Sequence, residues 1–309
     1  MKTTKIVCLM AALFASSLVL GCSESSENAH PKTPEEDPKI TVLATFTVLQ
    51  DITQNVAGDH AEVISLIKQG AEIHGYEPTP GDIQRAKEAD LIVENGLGLE
   101  IWLNKFTADI DVPTATLSQG IEPINIASDA YKGKPNPHAW MSPAHAETYA
   151  YNAAHALSRI DPNNSAAYQR NARDYATRIR AAGEHAVQQL QQRTTPITHL
   201  VTCEGAFSYL AHDLGMHEHY LWPVNAERQS TPKQVAAAIT AVRDNNIEAV
   251  FCESTVSPSS MYVVADESGA TFGGTLYVDS LSSTDGPVPT FLSLMKHNLA
   301  TITQAGKNT

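Results

Sequence analysis

From Ser165 to Gln192 the chain runs without a proline, with a single glycine (Gly183) and with polar residues throughout. About 28 residues at ~1.5 Å rise make a helix of roughly 40 Å. That is long for a helix packed inside one domain, since helices of globular proteins average ~10–14 residues. The segment follows a break at Asp161-Pro162-Asn163-Asn164. It predicts a strut between two lobes rather than a long surface helix of one domain.

On both sides of this helix, strand and helix patterns alternate. In the first half, Ile40 to Phe46, Ala61 to Ile67, Leu91 to Glu94 and Pro113 to Leu117 read as strands. A helix ends near Gly58, and a second starts at Thr79-Pro80-Gly81-Asp82, with Thr as cap and an acid three residues on. In the second half, His199 to Cys203, Tyr220 to Val224, Ala249 to Glu253 and Thr275 to Val278 read as strands. Helices are expected over Ala206 to Leu214, from Thr231-Pro232-Lys233-Gln234, over Met261 to Ser268 and over Pro289 to Ile302. Such alternation implies parallel sheets with helices on both faces, and ligands bind beyond the carboxyl ends of the strands. The expected fold is α/β, with two lobes, each a mainly parallel sheet flanked by helices, joined by one long helix. The expected boundaries are 39–162 for the first lobe, 163–193 for the linking helix and 194–309 for the second lobe.

The start of the chain reads as a targeting segment. Lys2 and Lys5 precede an apolar run from Ile6 to Leu20, which is short for a bilayer span. Val19-Leu20-Gly21-Cys22 resembles a lipobox, although Leu20 is bulkier than the usual residue. Residues 1–21 are expected to be a signal peptide, and Cys22 the lipidated first residue of the mature chain. Ser23 to Lys39 is rich in Ser, Glu, Pro and Lys and lacks apolar periodicity, so 22–38 reads as a solvated tether. The protein is expected outside the cytoplasm, held to the envelope by lipid. Its formal charge of −13 makes nucleic acid and anionic membrane poor partners and a cation a better one.

Four residues that suit a metal lie far apart in sequence, in or beside the ends of predicted strands. They are His74, His138, Glu204 and Asp279. Dispersed like this, they can meet only in a cleft between folded parts. Two neutral imidazoles and two carboxylates around a divalent cation make a site of zero net charge. That donor set suits manganese, iron or zinc and lacks thiolates.

The stretches Ile73 to Leu97, Asn136 to Ser142, Leu200 to Gly215, Thr231 to Thr255 and Leu276 to Leu299 resemble the metal-specific substrate-binding receptors of bacterial ABC importers. The resemblance covers nearly all of Lys39 to Gly306. It implies two α/β lobes on one rigid helix, metal held between them, and His74, His138, Glu204 and Asp279 as ligands. Zinc receptors of this family usually carry a third His in the second lobe and often a His- and acid-rich loop in the first. Here that position is Glu204, and no such loop lies between His74 and His138. The chain is thus more similar to the manganese-type branch, with Mn2+ the expected cargo and Fe2+ or Zn2+ the alternatives. The phrases Cys203-Glu204-Gly205-Ala206-Phe207 and Phe251-Cys252-Glu253-Ser254-Thr255 are similar to receptors in which the two Cys form a disulfide. Cys8 leaves with the signal and Cys22 goes to lipid, so Cys203 and Cys252 remain as a pair in an oxidising compartment or as two free thiols. The implied partners are a membrane permease with its separate ATPase. A monomer is expected, and no enzymatic activity.

Other residues have plainer readings. Glu253 ends its strand as Glu204 does, and is expected to support a ligand His by accepting its hydrogen bond. His217-Glu218-His219 reads as a turn after Gly215-Met216 rather than an auxiliary metal site. Glu77, Glu94 and Glu100 read as acids on the rim of the cleft, and Trp102, Trp140 and Trp222 as packing residues. A zinc-specific receptor is the nearest competing function. A metal-dependent hydrolase competes from another class, but it needs an open position for water and a general base. A redox role for the two Cys lacks a Cys-x-x-Cys motif.

Replacement Cys22→Ser removes the thiol that lipid attachment needs. Fractionation of cells is expected to find the variant in the soluble fraction or uncleaved; normal processing with membrane retention would refute the lipobox.

Overall fold

The structure, a computed structural model, describes residues 39–306 apart from 104–106, 109, 129–130 and 225–229. The expected signal peptide, the Cys22 anchor and the tether lie outside the described residues. An apolar strand opens the fold. β1 (Ile40–Ala44) leads into α1 (Thr47–Ala57), then β2 (Ala61–Ser65), α2 (Pro80–Glu88), β3 (Leu91–Glu94) and β4 (Thr114–Thr116). These strands form one parallel sheet in the order β2-β1-β3-β4, with Ile40 opposite Ala61 and Val42 opposite Leu91. Val42, Leu43 and Ala44 are all buried, as a central parallel strand covered on both faces requires. At the start of α2 the Asp82 carboxylate accepts from the Thr79 N–H at 2.7 Å, completing the capping box read from Thr79-Pro80-Gly81-Asp82.

Two antiparallel helices follow, α3 (Pro143–Ile160) and α4 (Ser165–Gln191). The polar surface of α4 conceals a narrow apolar stripe: Tyr168, Ala172, Tyr175, Ile179, Ala182 and Ala186 recur at helical spacing and are buried. Gly183 lies on the same side, where a Cβ would sit 2.8 Å from Pro143 Cβ, so glycine lets the two helices approach. The strut packs against elements of both halves. Its Tyr175 hydroxyl donates to Asp51 Oδ2 of the first lobe at 3.1 Å, and the same oxygen accepts from the Phe291 N–H of the second lobe at 2.9 Å.

The second lobe comprises β5 (His199–Glu204), α5 (Ser208–Leu214), β6 (His217–Trp222), α6 (Pro232–Asp244), β7 (Ala249–Glu253), α7 (Ser259–Ser268), β8 (Thr271–Leu276) and α8 (Phe291–Gln304). Its ladders are parallel, but they form two pairs, β5-β6 and β7-β8, in place of one continuous sheet. The pairs adjoin along β5 and β7. There the Glu204 N–H is taken by the Glu253 side chain at 3.1 Å rather than by a ladder carbonyl. A disulfide between Cys203 and Cys252, with Cα atoms 4.9 Å apart, ties the two pairs together.

Most boundaries shift by one or two residues from the sequence reading, and two strands differ more. β6 begins at His217, so His217-Glu218-His219 is strand and not turn. β8 ends at Leu276, earlier than Val278, because it starts at Thr271 and runs through Gly273-Gly274, which carry no strand signal. Glycine is needed there: a Cβ on Gly273 would lie 2.5 Å from the Phe251 ring. A large apolar cluster runs from Val42 to Ile302 through both lobes, and a smaller one lies around the disulfide among Val201, Leu221, Trp222 and Met261. No helix among the described residues is long and apolar enough to cross a membrane.

The disulfide closes a segment with a sequence separation of 49. On the chain-entropy account such a loop stabilises by roughly 4 kcal/mol. Thermal unfolding of Cys203→Ala/Cys252→Ala is expected to show a lowered midpoint with the fold retained; an unchanged midpoint would refute the cross-link's contribution.

Candidate metal centre

The local chain brings one donor from each of four segments to the lobe interface. His74 sits in the loop after β2, and its backbone N–H donates to Glu72 Oε1 at 3.0 Å, as does that of Ile73. His138 directly precedes a short 3-10 turn, Ala139–Met141, which leads to the Ser142 cap of α3. Glu204 is the last residue of β5. Asp279 lies three residues beyond β8 rather than at its end.

The four side chains meet. One donor atom from each lies within 4.8 Å of the others. His74 Nε2 is 3.1 Å from His138 Nε2 and 3.2 Å from Glu204 Oε1. His138 Nε2 is 3.5 Å from Glu204 Oε1 and 3.9 Å from Asp279 Oδ1. Bonds of about 2.1 Å to a common cation would set donor–donor edges of about 3.0 Å at right angles and about 3.4 Å in a tetrahedron. The spacings among His74, His138 and Glu204 are close to those edges, while Asp279 Oδ1 stands farther off, 3.9 Å from His138 Nε2. His138 and Glu204 are fully buried and the His74 side chain is 7% exposed, so access lies on the His74 side.

The burial that encloses these groups sets their charge. Desolvation holds the His138 imidazole well below its ordinary pKa, and the neighbouring His74 pushes the same way. A neutral ring has one lone pair, and its position is set by the other nitrogen. His138 Nδ1 is 2.8 Å from Asn136 Oδ1, which also accepts the His138 backbone N–H at 3.1 Å. Asn136 Nδ2 donates to the Gly205 carbonyl at 2.6 Å and to Ser208 Oγ at 3.1 Å. The amide is thereby oriented with its oxygen toward His138, which places the ring proton on Nδ1 and the lone pair of Nε2 toward the cluster.

Glu253 sits beside the cluster but outside the four. It was expected to accept from a histidine; instead it accepts the Glu204 backbone N–H. Burial, reinforced by the Glu204 carboxylate, raises its pKa well above the ordinary range and favours the neutral acid. Glu100 is also corrected, being buried rather than on a rim. It accepts from Thr45 Oγ1 and from the N–H groups of Asn95 and Gly96, and burial pushes its pKa up to about 7.

Two residues escaped the sequence reading. Asn136 sits in Asn136-Pro137-His138, where an amide two positions before a candidate ligand is the available signal. Asn95 donates to the Pro137 carbonyl at 3.0 Å and accepts from the Tyr149 hydroxyl at 2.5 Å, fixing the backbone that carries His138. Trp140 packs between Phe46 and His138 and donates to the Val278 carbonyl at 3.2 Å, next to Asp279.

Comparison with known proteins gives consistent matches. The family described as zinc-uptake complex component A, periplasmic (ZnuA) matches residues 42–305. The iron-binding protein YfeA of Yersinia pestis is 48% identical over 296 residues, covering 94% of each chain. The manganese ABC transporter substrate-binding lipoprotein PsaA of Streptococcus pneumoniae is 30% identical over 303 residues, covering 96% of this chain and 97% of that one. The solved structure of a Mn-bound periplasmic metal binding protein from Candidatus Liberibacter asiaticus superposes with a TM-score of 0.80 at 38% identity, covering 86% of this chain and 99% of that one.

Asn136→Ala would leave the His138 ring free to rotate and remove one link between the lobes. Loss of such a supporting partner typically weakens metal affinity about 10–100-fold. Titration of the variant with Mn2+ is expected to show a fall in that range, and wild-type affinity would count against the role given to Asn136.

Proposed function

Because the chain belongs to the family of periplasmic zinc-uptake complex component A proteins, we propose that it is the extracytoplasmic receptor of a metal ABC importer. It captures Mn2+, with Fe2+ as the nearer alternative, between its lobes and hands the ion to a permease driven by a separate ATPase. His74, His138, Glu204 and Asp279 are the proposed ligands. The observation that carries this reading is the convergence, in one buried cluster, of two imidazoles from the first half and two carboxylates from the second. The names of relatives support it, since those of YfeA and PsaA specify iron and manganese. Cys22 is proposed as the lipid anchor that keeps the receptor at the envelope, and the working unit is a monomer. The lobes, 39–162 and 194–309, are proposed to move as bodies on the helix of 163–193.

In this scheme the protein makes and breaks no covalent bond. Bringing the lobes together completes the donor set. Opening them must part bonds that cross the interface, among them Gly70 N–H to Ser280 Oγ at 2.7 Å, Leu281 N–H to Thr47 Oγ1 at 3.0 Å and Asn136 to Gly205. The packing of α4 on both lobes favours a small change over a wide swing. Docking on the permease supplies the work that separates them.

A zinc-specific receptor is the second reading, favoured by the ability of the same N/O donors to take Zn2+ and by its greater intrinsic affinity over Mn2+. A hydrolase is disfavoured because four protein donors occupy the positions that water and substrate would need.

Single replacements of His74, His138, Glu204 or Asp279 by alanine are each expected to abolish Mn2+ retention in equilibrium dialysis. His155→Ala, at an exposed position of α3, should retain it. Glu204→His exchanges a hard oxygen for a borderline nitrogen and should raise the zinc-to-manganese affinity ratio. Retention of wild-type affinity after loss of any one of the four would remove that residue from the ligand set, and an unchanged ratio would overturn the selectivity assigned to position 204.

A further inference from the structure

The metal centre leaves a group of histidines unused. β5 and β6 pair in parallel with His199 opposite His217 and Val201 opposite His219. Side chains two apart on a strand share a face, so His217 and His219 stand on the side of the ladder that His199 also occupies. His199 Nδ1 is 3.0 Å from His219 Nε2, with the rings stacked 5.2 Å apart, and the His217 ring is also 5.2 Å from that of His199. All three open onto one surface groove, which His212 lines as well and to which, among the described residues, no Lys or Arg contributes. Glu218 also lines this groove, but its carboxylate is committed to the Phe207 N–H at 2.9 Å and to the Ser208 hydroxyl. The imidazoles are therefore not neutralised by the acid between them in sequence.

We propose that His199, His217 and His219 form a second site, for a divalent ion of borderline softness such as Zn2+, at the end of β5 opposite the metal centre. Two nitrogens already stand near the ~3.3 Å edge of a tetrahedron with Zn–N bonds of about 2.0–2.1 Å. His217 is exposed, so rotation of its side chain supplies the third donor without moving the strand. Water fills the remaining position. An all-imidazole set suits zinc over manganese, which prefers carboxylate and carbonyl oxygens. Without metal, the 3.0 Å contact is a hydrogen bond between neutral rings. With metal, the proton at that contact moves to the far nitrogen of its ring, leaving both lone pairs on the ion and the charge of each imidazole unchanged. Burial and neighbouring imidazoles depress the pKa values of His199 and His219, which keeps their lone pairs available at neutral pH. Five residue steps of about 3.3 Å along β5 separate His199 from Glu204, so the two sites lie roughly 17 Å apart and cannot share one ion.

The test is the zinc content of the full chain after equilibrium dialysis against Zn2+. Wild type is expected to hold one more ion per chain than either His217→Ala or His219→Ala, with Mn2+ binding at the metal centre unchanged in both variants. Equal zinc content in wild type and both variants would overturn the proposal. A measurement on wild type alone guards against misfolding. Histidine side-chain NMR during zinc titration is expected to show the His199 and His219 signals moving together; movement confined to other histidines would likewise overturn it. Failure of the metal centre itself would appear instead as loss of the ion retained by the two variants.

Discussion

The arrangement at the lobe interface depends on one side-chain amide. Asn136 uses its oxygen to hold His138 and its nitrogen to hold the second lobe at Gly205 and Ser208. The same group thus fixes a tautomer and a domain contact. The two together could not be supplied by a carboxylate, which has no donor, or by a lysine, which has no acceptor. Tyr209 adds to this clamp by donating to the Asn136 carbonyl at 2.7 Å from the second lobe. The orientation of an imidazole and the contact between the lobes are therefore set by one side chain.

Burial makes that contact consequential. Two carboxylates and two imidazoles crowded into a dry interface repel or go unsolvated unless something positive joins them. Burial reduces the negative charge on one side by favouring the acid form of Glu253, and it favours the neutral form of His138. What remains is a pair of carboxylates beside imidazole nitrogens, a donor set of the kind that suits a divalent ion. The disulfide acts from behind: it places Cys203 and Cys252, each followed by its glutamate, at adjoining strand ends, so the spacing of Glu204 and Glu253 is held covalently. A cavity built this way gains selectivity from charge count and donor type before any fine adjustment of shape.

Much of this was legible in the chain. Alternating apolar runs gave the strands and helices, because parallel strands buried on both faces read as continuous apolar segments, as Leu91–Glu94 does. The four candidate ligands stood out because histidine and acid rarely lie in or just beyond the end of an apolar strand, although only Glu204 closes one in the fold. The α2 cap could be read from Thr79 and Asp82 because capping is local. What could not be read was long-range partnership. Asn136 and Asn95 matter through partners 69 and 42 residues away, and an asparagine beside proline or glycine looks like turn chemistry. Glu100 looked exposed because an acid is usually solvated; its two backbone N–H partners and Thr45 make burial tolerable. His199 and His219 acquire meaning only once β5 and β6 are paired, and Gly273-Gly274 hid the start of β8.

Trp140 carries a different consequence. Its indole is fully buried, packs on the His138 ring and donates to a carbonyl beside Asp279 across the lobe boundary. An indole so placed is an intrinsic optical gauge of the site. Parting the lobes would break its hydrogen bond and admit water to its ring, shifting its emission to longer wavelength, while a paramagnetic ion bound next to His138 would dim it. Trp222 packs in the separate cluster around the disulfide. Trp140 is therefore a built-in probe of the opening of the lobes, to be read against the other two tryptophans, Trp102 and Trp222.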